Sequence, residues 1–152
     1  MSALSIEDLK LVAGSVREFF TKTLGVPAEF SSSYLCAQSF DVFEYTGVIG
    51  LSGEYHGNVV VSAPKALLCE ALLMQGENDI SDDNLLDAVG EIANTVAGNA
   101  RQHCGEGLGI SPPAKFKGQA RMQALVRSRP FVVQVRWAQH HALVIIDMEK
   151  RV

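Results

Sequence analysis

Little in this chain of 152 residues is strongly enriched, and each shortage removes a class of function. There are only three cysteines, Cys36, Cys69 and Cys104, far apart and set among apolar neighbours. That usage suits small core residues in a reducing compartment, not a disulfide frame. The histidines number four; neither HExxH nor a CxxC pair occurs. His140 and His141 sit next to each other on an expected strand, where adjacent side chains point to opposite faces. No metal site is expected. No GxSxG elbow marks a serine nucleophile, and neither GxGxxG nor GxxxxGK[ST] offers a phosphate cradle. No apolar run approaches the roughly 18 residues of a membrane helix. Glu7 and Asp8 interrupt any basic-then-apolar signal near Met1. The expectation is a cytoplasmic protein without membrane insertion.

What is there is enough to fold. With 47% hydrophobic and 20% charged residues the chain can bury a core, which excludes wholesale disorder. Its net charge of −4 argues against a generic nucleic-acid binder. The balance is uneven, however: residues 1–100 hold 4 Lys/Arg and 14 Asp/Glu, and residues 101–152 hold 9 and 3. The basic residues Lys115, Lys117, Arg121, Arg127 and Arg136 are spread singly, without interleaved aromatics for base stacking. An acidic half packed against a basic half, within one chain or between two, accounts for the asymmetry.

Periodicity then orders the chain. Ser5-Ile6-Glu7-Asp8 reads as a capping box, and Ile6, Leu9, Val16, Phe19, Phe20 and Leu24 follow at helical spacing until Gly25. Tyr34–Glu44 is expected to form a strand. Gly47–Gly53 and Gly57–Val61 are expected to form a hairpin whose glycines mark tight bends or a surface approached by another backbone. Pro64 opens a second helix running to Gly76, and Ser81 a third running to about Cys104. Phe116 to Met122 alternates as a strand with one wet face, and Phe131–Trp137 pairs with Ala142–Met148. This order predicts one α+β domain over residues 1–152, an antiparallel or mixed sheet of about six strands packed against three helices.

The third helix carries the functional signal. At about 100° per residue, Leu85, Val89, Ile92, Ala93, Val96 and Ala100 form one stripe. Asp87, Glu91, Asn94 and Gly98 fall opposite it, which makes Glu91 and Asn94 i, i+3 neighbours facing solvent. Gly90, Asn94, Gly98 and Asn99 are poor helix formers for a helix interior. Small residues around a projecting acid and amide suit a surface on which another protein docks closely. The alternative is an ordinary surface helix whose Gly98 admits a second helix of the same chain.

The segment Asp87-Ala88-Val89-Gly90-Glu91-Ile92-Ala93-Asn94-Thr95-Val96-Ala97-Gly98-Asn99-Ala100 resembles the ExxN helix of the CheX-type chemotaxis phosphatases, within the CheC/CheX/FliY group. The glycine-punctuated hairpin leading to APKALLCEALL, the ISPP break and the closing strand pair recur in the same order, and a single ExxN helix favours the CheX type. The resemblance implies a CheC/CheX-like fold and a phosphatase acting on a phosphorylated CheY-type response regulator. Asn94 would orient the attacking water and Glu91 would pair with the regulator's lysine. Asp87, Gly90, Thr95 and Gly98 would belong to the partner-binding surface. No cofactor of its own is implied; Mg²⁺ is expected in the regulator. A homodimer paired through a sheet edge is implied too, and Phe116–Val126 is the expected edge. The competing reading is a non-catalytic adaptor or sensor docking a two-component or flagellar partner. Exposure of Glu91 and Asn94 favours the enzyme, burial of either the adaptor.

Overall fold

The computed structural model describes residues 2–3, 6–25, 28–34, 39–118, 121–123 and 130–151. In chain order its elements are β1 (Ser2–Ala3), α1 (Ile6–Leu24), β2 (Glu29–Tyr34), β3 (Ser39–Asp41), β4 (Tyr45–Gly53), β5 (Tyr55–Ala63), α2 (Lys65–Met74), α3 (Asp82–Cys104), β6 (Leu108–Ile110), β7 (Ala114–Lys117), β8 (Arg121–Gln123), β9 (Phe131–Trp137) and β10 (His140–Lys150). Six strands form an antiparallel sheet in the order β2-β9-β10-β5-β4-β6. β1 adds to β10, and β7 adds to β4 beside β6. The described residues thus form the expected α+β arrangement of three helices against an antiparallel sheet.

Two strand readings need correction. The expected Tyr34–Glu44 strand is two pieces: β2 begins earlier, at Glu29, and ends at Tyr34, and Ser39–Asp41 pairs separately with β8. The Ser31-Ser32-Ser33 run carries no apolar alternation, so only its ladder with Val132–Gln134 of β9 makes it a strand. The expected Phe116–Met122 strand is likewise broken. Gly118 takes a left-handed φ of 122°, releasing the chain from β4 so that residues 121–123 join β3 in a ribbon. Ser5 of the capping box and residues 124–126 of the expected edge lie outside the described residues.

The helices cover one face of the sheet. Val16, Phe19, Phe20 and Leu24 of α1 are buried, and the Phe20 ring stands 6.0 Å from that of Trp137. α2 contributes Leu67, Leu68 and Ala71. On the opposite face Val42, Val60, Val132 and Ile145 make a second cluster with Val48, Phe116 and Leu143. With both faces covered, β5 is buried almost end to end, where a half-exposed strand would alternate.

α3 packs on α1 and, most closely, on β4. A Cβ on Gly47 would lie 2.9 Å from the Val89 carbonyl oxygen, 3.2 Å from Ala93 Cβ and 3.3 Å from Gly90 Cα. The glycine lets helix backbone touch strand backbone, the close approach expected from the glycine spacing. Gly47→Ala should therefore lower stability by about 1–3 kcal/mol through overpacking. A shift of the urea midpoint at unchanged slope measures it; an unshifted midpoint would show that the contact is slack.

Candidate functional site

α3 is delimited by its own sequence. Ser81 caps it, its hydroxyl accepting from Asn84 N–H at 3.4 Å, and Asp82 and Asp83 occupy the positive end of the helix dipole. Gly105, with φ 87°, ends it. Leu85, Val89, Ile92, Ala93, Val96 and Ala100 are all buried. The buried stripe forces the opposite strip outward: Asp87, Glu91 and Asn94 are exposed, Thr95 and Gly98 half-buried. Glu91 and Asn94 make no hydrogen bond or ion pair among the described residues, so both polar heads face solvent one turn apart. An acceptor carboxylate and an amide that can donate and accept at once are suited to gripping a cation and orienting a water.

Two members of the expected partner surface are placed differently from the rest. Gly90 is buried, because the Lys115 chain crosses it: a Cβ there would lie 2.6 Å from Lys115 Cδ and 3.0 Å from Cγ. Asp87, though exposed, is already engaged, its Oδ1 accepting from Lys115 Nζ at 2.6 Å. Among the described residues Gly98 has no atom within 4 Å of a would-be Cβ, so none of them makes a close helix contact there. α1 instead meets α3 one residue on, where Asn99 Nδ2 donates to the Ser15 carbonyl at 3.4 Å.

β7 supplies residues that the sequence reading passed over. Lys115 and Lys117 project from the same side of the strand toward α3, and Lys117 Nζ donates to Asp82 Oδ2 at 2.8 Å. The other Asp82 oxygen accepts from the Tyr45 hydroxyl at 2.6 Å. This bond to a carboxylate, together with burial, pushes the Tyr45 phenol up to about 12. The Lys117 and Tyr45 donors hold the Asp82 carboxyl below its usual 3.8. Alternating lysines were visible in the sequence, but nothing local pairs them with acids on α3.

Beside the strip, α2 and α3 enclose a groove of about 480 Å³ lined by Leu68, Ala71, Leu72, Asp87, Glu91 and Thr95 among others. A larger cavity of about 610 Å³ lies across the sheet, at Phe43, Gln134 and His141, where Arg136 and Glu29 already pair with one another. Its lining acid, Glu29, is thereby engaged, unlike Glu91 on α3. Among the described residues no three of His, Cys, Asp and Glu converge as metal ligands. His140 is paired with Glu70 of α2 while its neighbour His141 is exposed. No described helix is long and apolar enough to cross a membrane.

Residues 45–136, which include the hairpin, α3 and the strands that flank it, match the family model of chemotaxis phosphatase CheX. The chain belongs to the CheX family. No curated protein matches it. Among solved structures it is similar to a putative chemotaxis protein from Desulfovibrio vulgaris Hildenborough, at 20% identity over 97% of this chain and 100% of that one, with a TM-score of 0.82. A CheC-like superfamily protein from Shewanella sp. PV-4 shares 18% identity over 96% and 99%, with a TM-score of 0.83. The structure of the CheX-CheY-BeF3-Mg²⁺ complex from Borrelia burgdorferi contains a chain with 16% identity over 96% and 100%, TM-score 0.73. At such identities the likeness to these structures is one of fold.

In this CheX-family chain the Asp82 contacts make stability depend on pH with a definite sign. The lowered carboxyl contributes stability that is full above 3.8 and lost as pH falls through its folded value. Tyr45, raised from 10.0 to about 12, contributes stability that is full below 10.0 and lost as pH rises through about 12. Asp82→Ala should therefore lower the thermal midpoint most at neutral pH, with the gap to wild type closing below about pH 4. A gap constant from pH 7 to pH 3 would mean that Asp82 acts through packing.

Proposed function

We propose that this chain hydrolyses the aspartyl phosphate of a CheY-type response regulator. The observation that carries the reading is the exposed, unpaired Glu91–Asn94 pair on α3 of a CheX-family domain. The solved complex of a similar fold with CheY, BeF3 and Mg²⁺ supports the choice of partner. Asn94 would enter the regulator's site and hydrogen-bond the water that attacks phosphorus in line. Glu91 would pair with the regulator's lysine and fix the docked orientation. Asp87, Thr95 and Gly98 border the strip and would line the interface, with Gly90 beneath them. Phosphoryl transfer passes through a loose transition state, so positioning and charge stabilisation dominate its catalysis. The regulator brings the charge stabilisation in its own Mg²⁺ and lysine; this chain needs to supply only the oriented water and the register.

A docking face also explains Gly98. An interior helical glycine costs about 1 kcal/mol against alanine, and no contact within the described residues requires it. Close approach of a partner does. A homodimer joined at a sheet edge within Phe116–Val126 belongs to the same reading; sedimentation at the mass of one copy would remove it.

The decisive assay is phosphate loss from a CheY-type regulator charged by a small phosphodonor in Mg²⁺, with and without this chain. Asn94→Ala should lower the acceleration on the order of 100-fold or more while leaving the thermal midpoint unchanged. Glu91→Ala should raise KM as well as lower turnover. Binding without acceleration by the wild-type chain would favour the adaptor, and unfolding of Asn94→Ala would refute the surface assignment.

A further inference from the structure

Lys115 reaches the Glu91–Asn94 face from β7, and the sequence makes room for it. Its stem lies where Gly90 lacks a Cβ, and the other atom near that space is Pro113 Cγ at 3.5 Å. Its ammonium ends on Asp87, whose carboxylate stands one turn before Glu91 on the same strip. Both side chains are partly in water, 34% exposed for Lys115 and 68% for Asp87, so the pair adds little to stability. A glycine inside a helix is unfavourable, and here it is kept under one lysine stem. The effect of that placement is electrostatic. Bare, Asp87 would repel Glu91 and meet a phosphoryl group carrying nearly two negative charges.

Resting on the docking reading above, we propose that Lys115 is a specificity-determining residue: it cancels the Asp87 charge beside the docking strip, so that an anionic phosphoryl group can approach Asn94 while Glu91 keeps its own charge for the partner's cation. The consequence is an ordering by charge. Lys115→Met keeps the stem over Gly90 and should raise KM about tenfold at low salt with kcat within about twofold. Asp87→Asn, which leaves Lys115 uncompensated, should lower KM. The double variant should return to near the wild-type value, and Lys115→Arg should match wild type. All these differences should shrink as ionic strength rises.

The test is steady-state dephosphorylation of a phosphodonor-charged CheY-type regulator by the five full-length chains, with thermal midpoints measured alongside. Opposite KM shifts for the two single variants support the proposal. Equal losses for both, or a double variant as impaired as Lys115→Met, overturn it and make the pair a structural tie. No acceleration by the wild-type chain removes the phosphatase reading itself, and this proposal with it.

Discussion

The contact on which the site depends is the one between the backbones of α3 and β4. At Gly47 a helix carbonyl, a helix Cα and the Ala93 methyl all stand where a side chain would otherwise begin. So close an approach leaves the helix little freedom to roll or slide. Val89 and Ala93 must face the strand, and a residue half a turn away must face water. Glu91 and Asn94 owe their exposure to that geometry as much as to their own polarity. β4 in turn carries β7 on its free side, which brings a strand edge within lysine reach of the helix.

The charge asymmetry along the chain resolves into pairs between its two parts. Lys115 with Asp87, Lys117 with Asp82, Arg136 with Glu29 and His140 with Glu70 each join a base from the last third to an acid from the first hundred residues. The three exposed Lys and Arg pairs contribute about 0–1 kcal/mol each, so their weight in stability is small. What they alter is which charges remain. On α3 the lysines of β7 occupy Asp82 and Asp87 and leave Glu91, beside the Asn94 amide, without a charge partner among the described residues.

Helices were legible where pattern and punctuation agreed. α1 and α3 each carry a regular apolar stripe with a glycine at the end, and Ser81 and Gly105 cap α3 where their chemistry suits them. The closing strand pair was legible for the same reason, as β-branched residues on both sides of a short turn. β2 was not, because three serines in its middle have no strand signature and become a strand only by pairing with β9. The break at Gly118 was hidden too, since sequence alternation runs through it while its backbone takes a φ of 122°.

The sequence by itself determined the helix that bears the Glu91–Asn94 pair, the face on which that pair stands and the residues that begin and end it. Helical periodicity is a local property, readable from neighbours three and four residues apart. Only the tertiary structure decided that Gly90 is covered and Asp87 occupied, both by a lysine 28 residues further along. That pairing follows from the register of β7 on β4 and the seating of α3 on Gly47. Both are set by hydrogen bonds and packing between distant segments, which no local spacing encodes.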